Sequence, residues 1–221
     1  MATRQLLNEL LALYAAQGGA ALQLESVGGV DAAKRVQAGE DFDLVFLASD
    51  AIDKLILAGH LDASSKVNLA DSGVALAVRA GAATPDISSG DAVRAAVLAA
   101  KSLSYSTGPS GVALARLFEA WGIADQIKPR IVTAPSGVPV GSLVAKGDVE
   151  LGFQQRSELI HLEGITLLGN LPADIQITTT FSAAVSSASA HKTEARTLLA
   201  FLASEQAAAA IRRQGMEPVH H

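Results

Sequence analysis

Short apolar blocks alternate with amphipathic, helix-like segments along almost the whole chain. Residues 44–48 form one such block, and the apolar residues that follow recur at helical spacing. Strands that alternate with helices are typical of α/β proteins, in which helices cover a sheet. The sequence therefore predicts an α/β fold. The predicted strands are residues 21–25, 44–48, 74–78, 103–106, 131–133, 151–154, 165–168 and 177–185.

A self-contained middle segment predicts two lobes. No long Pro/Gly/Ser linker divides the 221 residues, so ordinary strands near residues 74–78 and 177–185 are expected to cross between the lobes. Lobe I is then residues 1–76 with 182–221, and lobe II is residues 77–181. Right-handed crossovers would place helices on both faces of a mainly parallel sheet in each lobe. Such sheets bind ligands at the carboxyl ends of their strands.

Charge and composition exclude several classes of function. The net charge is −5, which argues against nucleic acid or an acidic membrane surface as a partner. No apolar run approaches the roughly 18 residues of a membrane-spanning helix, so no membrane insertion is expected. The absence of Cys excludes disulfides, Fe–S clusters and thiolate zinc sites. No cofactor or metal is predicted.

The tetrapeptide Pro-Ser-Gly-Val occurs twice, at residues 109–112 and 135–138. Each copy follows a predicted strand and opens a predicted helix, residues 112–121 and residues 138–146 respectively. The first N–H groups of a helix lack partners and lie at the positive end of its dipole. Small-residue turns at such ends can hold an anion, although each can also be a simple cap. The candidate ligand-binding residues in these and similar turns are Thr3, Arg4, Gly28, Gly29, Ser110, Gly111, Ser136 and Gly137.

Polar side chains also follow the predicted strand at 151–154. Gln154, Gln155 and Arg156 come next to its end, and they predict either a pocket wall or a polar loop. No nucleophile-elbow, phosphate-loop or dinucleotide motif is present, so no catalytic residue is predicted. Glu158 and Glu163 are close in sequence and are expected to be solvated.

Several stretches resemble the periplasmic molybdate-binding family of transporter solute receptors. Residues 36–39 (VQAG) and 43–50 (DLVFLASD) are similar to the first lobe of that family. The second lobe is matched by residues 104–111 (SYSTGPSG), 151–155 (LGFQQ) and 169–174 (GNLPAD). The resemblance implies a type II periplasmic-binding-protein fold with a hinged cleft between the lobes. It also implies a small anionic ligand, an ABC transporter membrane component as partner, and a periplasmic location.

The matching positions favour an organic carboxylate over molybdate. Ala2 and Gly29 stand where molybdate receptors use serine hydroxyls, and Gln155 stands where they use a tyrosine. Arg4, Ser110, Ser136 and Gln155 would suit a carboxylate, because arginine pairs with carboxylates through two parallel hydrogen bonds. The predicted function is therefore a solute receptor for a small organic anion.

Two other functions stay open at this stage. One is an isomerase of an unsaturated tricarboxylate such as aconitate on the same scaffold, which would need a general base that the sequence does not reveal. The other is a regulatory ligand domain, which would need a DNA-binding or signalling segment that these residues do not contain. Residues 1–5 lack the pattern of a signal peptide, so a cytoplasmic location also stays open.

Overall fold

The chain divides into two compact units, seen in a computed structural model that describes residues 2–135 and 137–219. Unit 1 is Met1–Ser72 with Thr179–His221, and unit 2 is Gly73–Thr178. The boundaries fall a few residues before those expected from the sequence. None of the helices in the described ranges is long and apolar enough to cross a membrane.

Helices and strands alternate as the sequence predicts, and the α/β class is confirmed. The helices are α1 (Arg4–Ala16), α2 (Gly29–Gln37), α3 (Ser49–Leu57), α4 (Gly90–Ala99), α5 (Pro109–Ala120), α6 (Ala124–Ile127), α7 (Val140–Lys146), α8 (Arg156–Leu159), α9 (Lys192–Leu202) and α10 (Glu205–Arg213). The strands are β1 (Leu44–Ala48), β2 (Val67–Arg79), β3 (Leu103–Tyr105), β4 (Leu151–Gln155), β5 (Ile165–Asn170), β6 (Thr178–Val185) and β7 (Glu217–Pro218).

In unit 1 both faces of β1 are covered by helices. Val45 and Leu47 point into one apolar cluster with α2 and α3, while Leu44 and Phe46 pack against a second cluster formed with α1, α9 and α10. Successive side chains of a strand point to opposite faces, so a run of apolar residues serves both layers. Along its length β1 pairs with β6 in antiparallel register, with Phe46 opposite Ala183.

Unit 2 is built on an aromatic core beside β3 and β4. The rings of Phe118 and Phe153 meet edge to face with centroids 6.0 Å apart, and Tyr105 packs on Phe118 at 5.7 Å. On the opposite side of β4, α7 packs closely over Gly152, where a Cβ would lie 2.5 Å from Val144 Cγ2. This packing fixes the carboxyl ends of β3 and β4 beside α5 and α7.

Strand directions differ from the expected mainly parallel sheets. In unit 2, β3 and β4 are parallel, but β2 pairs antiparallel with both β4 and β5. The β1–β6 and β2–β7 pairs of unit 1 are antiparallel too. The prediction of mainly parallel sheets is therefore wrong for the described pairs.

Two predicted strands are not formed as such. Residues 21–25 carry no strand, and Leu22 in this segment is 42% exposed. Of residues 131–133, Ile131 makes a single bridge to Leu103. The pattern of apolar residues predicted a strand in both places. Neither segment pairs with a neighbouring strand along its length, so no full ladder of hydrogen bonds forms.

The chain enters and leaves unit 2 at neighbouring points. Val74 N donates a hydrogen bond to Ile177 O at 3.2 Å, and Gln176 Oε1 accepts from Val74 N at 3.0 Å. In unit 1, Thr180 Oγ1 donates to Asp71 Oδ1 at 2.6 Å. Each unit therefore has hydrogen bonds of its own that join the two chain segments next to the unit boundaries.

Candidate functional site

The turn between β3 and α5 brings two serine hydroxyl groups of unit 2 within hydrogen-bond distance. Ser106 Oγ and Ser110 Oγ lie 3.1 Å apart, and Ser110 is 5% exposed within the first turn of α5. This helix begins at Pro109, three residues earlier than the sequence prediction. Proline at the first helical position is favoured because its missing N–H would have no helical partner there. The predicted residue Ser110 is therefore part of the helix start itself.

Gly111 allows this helix start to approach the end of β3. A Cβ at Gly111 would lie 1.5 Å from the backbone oxygen of Ser106, a distance that no side chain can tolerate. Gly108 in the same turn has no such contact, since its nearest neighbour would be 3.9 Å away. The close approach, and with it the position of the Ser110 hydroxyl, therefore depends on Gly111 alone of these two glycines.

The end of β4 presents two buried amides. Gln154 and Gln155 are 5% and 6% exposed, and Gln154 Oε1 accepts a hydrogen bond from Gly141 N in the first turn of α7 at 3.2 Å. Because β3 and β4 are parallel with Tyr105 opposite Phe153, their carboxyl ends share one edge. Within unit 2, Gln154 and Gln155 end β4 at that edge, and Ser110 and Gly111 begin the helix that follows β3 there.

The second Pro-Ser-Gly-Val copy does not open a helix directly, so that prediction is wrong. Gly137 adopts a left-handed conformation with φ of +78° in a turn, and α7 begins at Val140 with Pro139 as its N-cap. A residue before proline is pushed out of the helical region, which keeps Val138 extended. Ser136 lies outside the described residues.

The remaining predicted residues belong to unit 1. Gly28 is the N-cap of α2 and Gly29 is its first residue, where a Cβ would lie 3.8 Å from Leu47 Cδ2 near the end of β1. Thr3 is the N-cap of α1 without a side-chain cap bond, and Arg4 is the exposed first residue of that helix. These four residues mark the starts of two helices in unit 1.

Glu158 is a residue that the sequence reasoning misjudged. It was expected to be solvated, but α8 holds it half-buried, whereas Glu163 is exposed. Burial raises the pKa of the Glu158 carboxyl, and a side-chain hydrogen bond from Gln154 opposes that rise only in part. Gln154 lies at the end of β4 whereas Glu158 lies in α8, so no helical spacing relates the two residues and the sequence carried no local signal of this burial.

The chain belongs to the bacterial extracellular solute-binding protein family, which it matches over residues 1–217. A more specific likeness is to an aconitate isomerase from a Pseudomonas species. That relative is 41% identical over 188 residues, which span 84% of this chain and 71% of the relative.

Solved structures agree on the type II binding-protein fold. The periplasmic molybdate-binding protein of Azotobacter vinelandii matches with a TM-score of 0.81 and 21% identity, over 99% of this chain and 96% of that protein. AgtB from A. tumefaciens R10, solved with agropinic acid, matches with a TM-score of 0.71 and 13% identity, over 99% of this chain and 80% of that protein. At these identities the likeness establishes the fold alone, and the two bound solutes are chemically unrelated.

Proposed function

We propose that this chain binds a small, multiply charged carboxylate, and that tricarboxylates of the aconitate type are its ligands. The observation that carries the proposal is the relative that is 41% identical over 84% of the chain and is an aconitate isomerase. This degree of likeness over most of both chains favours a related acid as the ligand. Receptor and isomerase share this binding step.

The chemistry of the candidate residues in unit 2 supports a carboxylate. Ser110 offers a hydroxyl, Gln155 offers an amide, and the first turn of α5 offers free backbone N–H groups. Neutral donors at a helix start stabilise negative charge without needing a net positive protein. Arg156, which follows β4 directly, adds one guanidinium that can pair with a carboxylate through two parallel hydrogen bonds.

Molybdate is a weaker candidate for the same residues. The receptors that the sequence resembles hold that oxyanion with serine and tyrosine hydroxyls, whereas Ala2, Gly29 and Gln155 occupy the matching positions here. Two of these three residues have no side-chain donor at all. We infer that the site is selected for a planar carboxylate group and not for a tetrahedral oxyanion.

As a receptor, the chain would deliver its ligand to the membrane component of an ABC importer in the periplasm. The family supports this role because its members are extracellular solute-binding proteins. Discrimination between acids would then come from which carboxylates find donors at the helix starts, since an unpaired buried charge is costly. No bond of the ligand changes in this role.

The second candidate function is isomerisation of the bound tricarboxylate. It is favoured by the named activity of the 41% identical relative and by the half-buried carboxyl of Glu158, a group that the receptor role does not need. Moving a double bond requires a base near the ligand. An isomerase site therefore needs a general base beside the ligand, whereas a receptor site does not.

Titration calorimetry separates these possibilities. We expect trans-aconitate, cis-aconitate and the saturated analogue tricarballylate to bind, and molybdate and sulfate to bind more weakly or not at all. Proton NMR of the aconitates incubated with the protein then reports turnover. Binding without turnover supports the receptor, binding with turnover supports the isomerase, and a lack of binding by every carboxylate contradicts both.

A further inference from the structure

We propose that Glu158 is the acid–base residue that transfers the proton when this chain isomerises an unsaturated tricarboxylate. The inference deepens the isomerase function proposed above and rests on it. It assigns a chemical role to a side chain that binding alone does not require.

The reaction moves one proton between the two ends of a three-carbon allylic unit, and the double bond shifts to the other pair of carbons. A carboxylate removes a proton from the methylene carbon next to the double bond, and the C–H electron pair becomes part of an allylic carbanion delocalised onto a substrate carboxylate. The same carboxyl, now protonated, returns the proton to the far carbon, where a new C–H bond forms as the double bond moves. Atoms and electrons balance without an oxidant, a reductant or a second substrate.

One carboxyl group is sufficient for this shift. The two carbons that exchange the proton are the ends of a planar three-carbon allylic unit. A single base beside one face of this unit therefore reaches both ends. The protein must then supply one carboxyl that is withdrawn from bulk water, because a desolvated carboxylate is a stronger base than a solvated one. The base is therefore expected to be an acidic side chain of unit 2 that is withdrawn from solvent.

Glu158 is the one acidic residue of unit 2 within the described ranges that is not exposed. The others all lie on the surface: Asp86, Asp91, Glu119, Asp125, Asp148, Glu150, Glu163 and Asp174. His161 is exposed as well. The choice of Glu158 therefore follows from burial and not from its place in the sequence.

Buried neighbours hold Glu158 at the candidate edge of the sheet. It lies on α8 directly after β4, and Leu159 beside it is 1% exposed and packs over Ala75 and Ala77 of β2. Gln154 contacts the Glu158 side chain, and its Oε1 already accepts from Gly141 N at 3.2 Å. The Gln154 amide nitrogen is then the donor to the Glu158 carboxyl, because an amide nitrogen only donates.

The surroundings of Glu158 also change the pKa of its carboxyl in the direction that favours proton removal. Burial raises the pKa of Glu158, which makes its carboxylate a stronger base than a solvated glutamate. A base is most effective when its pKa lies closer to the working pH, since it is then both available and strong enough to remove a carbon-bound proton. The same shared edge carries Ser110 and Gln155 as neutral donors for the substrate carboxylates.

The test compares E158Q with E158D and with E163Q as a matched control at an exposed glutamate. We expect E158Q to lower kcat for trans-aconitate by about 10²–10⁴-fold, the usual contribution of a general base. Its calorimetric Kd for tricarballylate should stay within about threefold of wild type, because the proposed ligand donors Ser110, Gln155 and Arg156 are unchanged. E158D should keep part of the activity, and E163Q should match wild type.

Deuterium exchange gives a readout that a structural role would not move. In D2O, wild type and E163Q are expected to wash deuterium into the methylene group of aconitate, whereas E158Q is expected not to. An E158Q variant that binds tricarballylate and keeps kcat within tenfold of wild type overturns the inference while leaving the isomerase function intact. A wild-type protein that binds aconitate without turnover or exchange overturns both. Circular dichroism on each variant checks folding, and an unfolded E158Q leaves E158D to decide by the same comparison.

Discussion

Gly111 and Ser106 are in such close backbone contact that any side chain on Gly111 would overlap the Ser106 carbonyl oxygen, with a Cβ placed 1.5 Å from it. This contact seats the first turn of α5 directly against the residue that follows β3. The Ser110 hydroxyl owes its position, 3.1 Å from Ser106 Oγ, to this arrangement. Helix and strand are therefore joined at the candidate site with no room for adjustment.

We expect Gly111→Ala to disrupt this turn. Overpacking of a tight contact costs about 1–3 kcal/mol, and here backbone atoms must move. The free energy of unfolding from urea denaturation should fall by that amount, and affinity for tricarballylate should fall with it. Gly108→Ala is the matched control, because its Cβ would meet nothing nearer than 3.9 Å. Equal stability and affinity of the two variants would show that α5 does not need the close approach.

Loss of single donors should weaken ligand binding. Ser110→Ala and Arg4→Ala each remove one hydrogen-bond donor from a helix start, and a hydrogen bond to a charged group contributes about 1.5–3 kcal/mol. Tenfold or greater increases in the Kd for tricarballylate are expected from calorimetry, since about 1.4 kcal/mol corresponds to tenfold. Arg116→Ala, which changes an exposed arginine further along α5, serves as control. If Arg4→Ala and Ser110→Ala both bind like wild type, the ligand is held by other residues.

Two buried serines should respond in opposite directions to the same substitution. Ser65 Oγ accepts from Val185 N at 2.8 Å and donates to Asp62 O at 2.6 Å, so Ser65→Ala leaves a buried N–H unpaired. That variant should lose about 1–3 kcal/mol of unfolding free energy. Ser104 Oγ is buried without a hydrogen-bond partner in the described part of the chain, so Ser104→Ala should be neutral or stabilising. Urea denaturation checks both, and a marked loss for Ser104→Ala would reveal a partner for its hydroxyl.

The carboxyl of Asp43 should report on its hydrogen bond from Ser189. Ser189 Oγ donates to Asp43 Oδ1 at 2.5 Å and, ahead of a weaker contribution from His191, lowers the pKa of Asp43. A pKa lowered on folding stabilises the native state above the ordinary pKa, and this stabilisation is lost as the pH falls through the folded value. Ser189→Ala should therefore raise the Asp43 pKa in an NMR titration. The variant should also lose stability relative to wild type at neutral pH and converge with it in acid; an unshifted titration would contradict this account.

The sequence predicted those elements whose formation depends on local pattern. Leu44–Ala48 is a strand with the predicted bounds because alternate side chains meet an apolar layer on each side. Residues 21–25 alternate in the same way but form no ladder, because a strand also needs a neighbour that the pattern cannot supply. Strand direction was missed for a similar reason, since the reversed course of β2 is decided by the whole topology.

The candidate site was predictable only where backbone chemistry decides the structure. The two Pro-Ser-Gly-Val copies are identical, yet Pro109 starts a helix while Gly137 lies in a turn. Pro139 explains why the second copy does not begin a helix, because a proline forces the residue before it, here Val138, out of the helical region. Burial of Glu158 could not be read in this way, because it depends on α7 and β2 packing around α8 from distant parts of the sequence.

The hydrogen bond between Val74 N and Ile177 O, together with the bond between Thr180 and Asp71, makes unit 2 an insert whose two ends nearly touch. A loop inserted between adjacent backbone positions adds little strain to its host, whatever its length. Unit 2, which carries Ser110, Gln155 and Glu158, can therefore be replaced as a whole during evolution without changes to the fold of unit 1. The nearness of these ends gives a practical route to express residues 73–178 as a separate polypeptide.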